Sequence, residues 1–129
     1  MLAIDTNVVV RFLANDDPEQ SPKARSLIAR EHVFVALTVL LEAEWVLHSG
    51  YGLPTGQILA AFRALAGLPQ VIVQEPTALA VALSWAEEGM DFADALHLAQ
   101  SGQSEAFVSF DEKLAKASSR VGAPEVRRP

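Results

Sequence analysis

The segment Met1-Leu2-Ala3-Ile4-Asp5-Thr6-Asn7 sets a carboxylate directly after a short apolar run. A short buried strand that ends in an acid is where an α/β fold delivers chemistry, at the carboxyl edge of its sheet. The pattern returns near the other end of the chain, where Ala106-Phe107-Val108-Ser109-Phe110 runs into Asp111. Between the two, a pair of expected helices each carry one acid in an apolar stretch. These are Glu42 in Thr38-Val39-Leu40-Leu41-Glu42-Ala43 and Asp94 in Phe92-Ala93-Asp94-Ala95-Leu96. An ionised carboxylate in apolar surroundings is costly unless it is paired or binds a metal. Four of them, from four separate elements, point to a divalent-metal pocket.

Outward from these acids, strands and helices alternate. Strand Met1–Ile4 leads into a short helix over Val8–Leu13, stopped by Asn15-Asp16-Asp17-Pro18. Asp17 as N-cap, with Pro18 in the first turn, opens a helix over about Glu19–Arg30. His32–Ala36 reads as a Val- and Phe-rich strand, and Thr38 as N-cap starts a helix to Ser49, punctuated by Gly50 and Gly52. Further helices are expected from Pro54-Thr55 to Leu65, over Ala78–Glu88, from Asp91 to Gln100 and over Glu112–Ala117. Strands are expected at Val71–Val73 and Ala106–Phe110. Val121–Pro129 offers a final edge strand, against which its two prolines argue. Short strands alternating with helices imply an α/β fold with a mainly parallel sheet covered on both faces. With no repeat and no linker, residues 1–129 are expected to form a single domain.

Composition narrows the chemistry. A chain of 129 residues is long enough to bury a real core. Half of it is hydrophobic and its mean hydropathy is +0.22, high for a small domain. That excess belongs either to a large buried fraction or to an apolar surface kept for a partner or second copy. The absence of cysteine excludes disulfides and thiolate metal sites, and fits a reducing compartment. Asp5 and Arg11 interrupt the first apolar stretch, so no targeting segment is read there. The longest uncharged apolar run, Val33 to Leu41, is nine residues, too short to span a bilayer. The expectation is a soluble, cytoplasmic protein. A net charge of −6 argues against a polyanionic partner, but four positive charges from two bound divalent ions would bring −6 to −2. Basic residues also cluster, as Lys23, Arg25 and Arg30, as Lys113, Lys116 and Arg120, and as Arg127 and Arg128, which individually read as solvated helix faces.

Each acid has a plainer explanation. An Asp after a strand is most often a turn former or helix cap. Asp91 is read first as a cap and second as a site residue, three positions before Asp94 and on its face. For the other four, corresponding topological positions favour convergence on one crevice. Oxygen ligands of this kind suit Mg²⁺ or Mn²⁺, and two such ions about 4 Å apart can activate water and stabilise the leaving oxygen in phosphodiester hydrolysis. His97, one turn after Asp94, is read as a supporting neighbour and not a ligand. Glu44 and His48 read as a solvated i,i+4 pair, with Glu44 roughly 200° around the helix from Glu42. Trp45 and Trp85 read as core or subunit-interface residues. There is no Gly-x-Ser-x-Gly elbow, phosphate-binding Gly-rich loop or Cys/His cluster, so serine-nucleophile and nucleotide-loop chemistry have no support.

Taken together, Asp5-Thr6-Asn7, Glu42-Ala43-Glu44-Trp45-Val46-Leu47, Asp91-Phe92-Ala93-Asp94-Ala95-Leu96-His97 and Val108-Ser109-Phe110-Asp111 resemble PIN-domain ribonucleases. Within these, the chain resembles the VapC-type toxins of bacterial toxin–antitoxin pairs, over essentially its whole length and in family order. The resemblance implies a PIN-like three-layer α/β/α sandwich, an Mg²⁺ or Mn²⁺ site and cleavage of single-stranded or structured RNA. It implies a homodimer and a small cognate antitoxin whose tail occupies the active-site groove. By position, Asp5, Glu42, Asp94 and Asp111 become the catalytic, metal-binding acids, with Thr6, Asn7, Ser109 and Asp91 in support. Family members act on RNAs from tRNA to ribosomal RNA.

Two other readings compete. A signalling receiver domain also gathers acids around Mg²⁺, but Val71–Val73 is followed by Gln74 and Glu75, and no strand here ends in Lys. A catalytically idle PIN scaffold that only binds partners would have lost one or more acids, and all four are present. The homodimer is expected to bury apolar surface through the helices carrying Trp45 or Tyr51–Leu65.

Overall fold

Leu2–Ala3 (β1), Val33–Val35 (β2) and Val71–Val73 (β3) form a wholly parallel sheet in the order β1-β2-β3, with Leu2 opposite Val33 and Val33 opposite Val71. The computed structural model describes all 129 residues, Met1–Pro129, which pack as two units, Met1–Pro76 and Thr77–Pro129. In β2 the β-branched Val33 and Val35 are fully buried. The opening run differs from the expected buried strand. Ladder hydrogen bonds extend from Leu2 N–H to His32 O (2.8 Å) and from Ile4 N–H to Phe34 O (3.1 Å), yet Leu2 and Ala3 are exposed and only Ile4 enters the core.

Local capping explains where the first unit's helices start. Thr6–Ala14 (α1) begins two residues earlier than expected because Asp5 is its N-cap, Oδ1 accepting from Val8 N–H at 3.0 Å. Asn15 closes it in the left-handed region, φ +52°, a conformation Asn tolerates after a helix. Asp17 accepts from Glu19 and Gln20 N–H at 2.9 and 2.7 Å at the start of Gln20–Arg30 (α2), whose N-cap position is Glu19 and not, as expected, Asp17 itself. Those two bonds favour the ionised form and hold its carboxyl below the usual range.

Leu37–Trp45 (α3) departs from expectation at both ends. Thr38 is not its cap. The N-cap position is Ala36, and the Leu37 N–H donates to Gln74 Oε1 at 3.0 Å, from a residue just past β3. A bond of this kind contributes about 1 kcal/mol. At the other end the helix widens into a π-helical turn over Val46–Gly50, closed by Tyr51 N–H to Val46 O at 3.2 Å. Such turns often accompany functional sites, because the extra residue re-aims the side chains that follow. Thr55–Ala66 (α4) buries Ile58, Leu59, Phe62 and Leu65 on one face.

The second unit holds Pro76–Glu87 (α5), which begins at the unit boundary, then Phe92–Ala99 (α6), Phe107–Val108 (β4), Glu112–Val121 (α7) and Val126–Arg127 (β5). Its core includes Leu79, Leu83, Phe92, Leu96, Leu98 and Leu114. The tail does form a strand: β5 pairs in parallel with β4, Phe107 opposite Val126. Pro124 and Pro129 flank the paired residues and remove no ladder donor. Helix α7 outlasts its expected end at Ala117 and stops at Gly122, φ +71°, whose N–H returns to Ser118 and Ser119 carbonyls. Buried Ser118 donates Oγ–H to Pro124 O at 2.6 Å, fixing the turn into β5.

Trp45 is 67% exposed and so is not a core residue, whereas Trp85 is partly buried. Of the two segments expected to offer apolar surface to a second copy, α4 spends its large apolar side chains inside the chain. Trp45 stays outside, as do Val108 and Phe110 in the second unit. No helix is long and apolar enough to cross a membrane.

Candidate active site

In the first unit the residues after β1 meet α3. Asp5 ends the strand segment, caps α1 with Oδ1 and is exposed. Next to it, Thr6 donates its hydroxyl to Glu42 Oε1, which fastens an acid of α3 to the acid-bearing turn although 36 residues separate them. Asp5, Thr6, Asn7 and Glu42 share a cavity of about 490 Å³ with Val10, Arg11, Val46 and Tyr51. The N-cap role accounts for one oxygen of Asp5, and the hydroxyl bond for one oxygen of Glu42. A carboxylate has two oxygens and about four acceptor sites, so each acid keeps capacity for a cation. Asn7 donates Nδ2–H to Gln20 Oε1 at 3.3 Å.

Three residues of this cavity were passed over in the sequence. Arg11 lies one turn beyond Asn7 on α1, and that i,i+4 spacing was its only signal. Val46 lies one turn beyond Glu42, again at i,i+4 spacing, whereas Tyr51 follows the π-helical turn, which periodicity does not reveal. Arg11 Nη1 donates to Tyr51 Oη at 2.9 Å, and Arg11 Nε donates to Gln20 Oε1 at 2.7 Å.

In the second unit the charges of Asp91 and Asp111 both act on Asp94. Asp91 caps α6, Oδ2 accepting from Asp94 N–H at 3.1 Å, as the sequence suggested. Asp111 caps α7 in the same manner, Oδ1 accepting from Lys113 and Leu114 N–H at 2.9 and 3.2 Å. Ser109 Oγ accepts the Asp111 N–H at 3.0 Å and so fixes the turn that carries this acid. Asp94 caps nothing and sits partly buried on α6. Its carboxyl is pushed above the usual range by burial first, then by the negative charges of Asp91 and Asp111, with His97 opposing. His97 itself is exposed. Lost solvation is thus the main cause of the shift.

In the π-helical turn, His48 Nδ1 lies 3.2 Å from the Leu53 carbonyl oxygen. Nowhere do three carboxylates or imidazoles stand close enough together to hold an ion. The donor set is nonetheless one of carboxylate and hydroxyl oxygens, with no thiolate in the chain. That chemistry fits a hard divalent cation such as Mg²⁺ or Mn²⁺.

Compared with known proteins, residues 2–119 match the family model for the PIN domain, a span that crosses both units. Among solved structures the chain is similar to Mycobacterium tuberculosis VapC20, a toxin described as cleaving the sarcin-ricin loop. Identity is 22%, the match covers 98% of this chain and 99% of that one, and the TM-score is 0.45. No curated protein matches the sequence.

Proposed function

The chain belongs to the PIN-domain family, and from that premise we propose that it is a metal-dependent endoribonuclease of the VapC toxin type, restrained by a cognate antitoxin. Its substrate is single-stranded or structured RNA in the cytoplasm. Residues 1–129 act as one nuclease domain. Asp5, Glu42, Asp94 and Asp111 bind Mg²⁺ or Mn²⁺, with Thr6, Asn7, Asp91 and Ser109 in support. The observation that carries the reading is the Thr6–Glu42 bond, which unites the first two acid motifs at the carboxyl end of β1.

The bound ions would supply an activated water and charge stabilisation at the leaving oxygen. The protein's own residues do the positioning. Backbone N–H groups at the starts of α1 and α7 each hold one oxygen of Asp5 and Asp111, which fixes where the other oxygen is presented. Thr6 locks the Glu42 rotamer. Partial burial raises the proton affinity of Asp94, a cost of staying ionised that a bound cation would relieve.

Purified protein incubated with RNA is expected to cleave it in Mn²⁺ and to leave it intact in EDTA. Cleavage that persists in EDTA contradicts metal dependence, and RNA that is bound but never cut supports an idle scaffold. A homodimer covering Trp45 is part of the same reading, and light scattering at micromolar concentration is expected to give twice the chain mass. A monomeric mass would leave Trp45 to the antitoxin.

A further inference from the structure

A second cavity of the first unit, about 220 Å³, adjoins the acidic one and shares Asn7 and Arg11 with it. Its lining includes Lys23 and Gln20 but no carboxylate. The two cavities therefore differ in sign: Asp5 and Glu42 stand at one end, Lys23 at the other, and Arg11 between them. Arg11 is partly buried, with its side chain 27% exposed. Its guanidinium is held at two points, Nε by Gln20 and Nη1 by Tyr51. Asn7 braces the same Gln20 oxygen at 3.3 Å. A guanidinium fixed in this way loses little further entropy when it binds a planar or tetrahedral oxyanion.

The charge of Arg11 is only partly offset. Asp16 Oδ1 lies 3.8 Å from Nη1, beyond hydrogen-bond range, and is half-exposed. Tyr51 stands between them, accepting from Arg11 and donating to Asp16 at 3.4 Å. Lys23 pairs with Glu19 at 3.6 Å, but both side chains are largely solvated, so the pair yields readily to a phosphate. A chain of net charge −6 needs such a local cationic track if it is to hold a polyanion beside its own carboxylates.

We infer that Arg11 and Lys23 bind the backbone phosphates of the RNA strand flanking the cleaved bond, so that the strand runs from the Asp5–Glu42 end across Arg11 toward Lys23. The inference rests on the ribonuclease reading and gives it a strand direction. A fluorescent single-stranded oligoribonucleotide of mixed sequence, titrated in EDTA over a range of salt, reports binding without cleavage. For wild type, log K should fall linearly with log salt. Arg11→Gln and Lys23→Gln are each expected to flatten that slope by about 0.7, the value for one phosphate contact in a single strand. Arg11→Lys keeps the charge and should keep the slope. Tyr51→Phe loosens the support of Arg11 but removes no charge, so its slope should also stay. A purely structural Arg11 would lower the melting temperature of Arg11→Gln and leave its slope unchanged, which overturns the inference. Should Arg11→Gln fail to fold, Lys23→Gln decides by the same criterion. Wild type that neither binds nor cleaves RNA sinks both this inference and the proposed function. Wild type that cleaves, with slopes unaltered in the variants, sinks this inference alone.

Discussion

Asp94→Asn is expected to slow RNA cleavage in Mn²⁺ by about 10²- to 10³-fold, the loss typical when one preorganised electrostatic group is removed from a site. The substitution keeps the side-chain volume and removes only the charge. Asp94 caps no helix, and its backbone N–H, not its side chain, completes the cap with Asp91. The fold should therefore survive. Asp5→Asn should show a comparable kinetic loss with more cost to stability, because Oδ1 of Asp5 also holds the Val8 N–H. An Asn side chain still accepts at that position, so the cost should stay well under 1 kcal/mol. Single-turnover rates, with circular dichroism as the check on folding, separate the two effects. Wild-type rates in both variants would mean that these acids are caps and surface charges only.

The second large effect is on stability. The Asp94 carboxyl, raised above its ordinary value of 3.8, binds a proton more readily when folded than when unfolded. As pH rises from 3.8 through the raised value, the unfolded chain releases its proton first and stability falls. Above that window the full penalty persists to neutrality. Asp94→Asn removes it, so the variant should melt above wild type in EDTA at pH 7. Because the group is partly exposed and screened by solvent, the gain should not exceed about 1 kcal/mol. Near pH 3 the two should converge. Saturating Mn²⁺ should reverse the order. It stabilises by mass action on the folded state, about 2.7 kcal/mol at a hundredfold excess over Kd, and should do so far less for the variant. Should Asp94→Asn melt well below wild type in EDTA, Asp94 is a structural hydrogen-bonding residue.

Much of this was legible in the sequence because the signals are local. The alternation of apolar runs and helices gave the α/β class, and the PIN-domain match agrees with the family recognised from four short motifs. Asp17, Asp91 and Asn15 were readable as punctuation, since caps and turns depend on nearest neighbours. What escaped depends on distant partners. Gln74 caps α3 from 37 residues away, which made Thr38 look like the better start. The π-helical turn leaves no periodic trace, so Tyr51 and Arg11 were not connected. Two prolines argued against a tail strand whose paired residues they merely bracket. At the candidate site, the cost of an acid in apolar surroundings was legible at Asp94, whose carboxyl is raised first by burial, whereas the Thr6–Glu42 bond, spanning 36 residues, was not.

An acid at these positions is a helix cap or a cation ligand, and Asp5 and Asp111 are visibly the first. Calorimetric titration of Mn²⁺ into wild type, Asp5→Asn and Asp94→Asn decides whether they are also the second. Wild type should bind saturably, and each variant should bind at least about tenfold more weakly, the least that even an outer-shell change costs a metal site. Equal Mn²⁺ affinity in all three proteins would contradict the assignment of these carboxylates to a metal-dependent ribonuclease site.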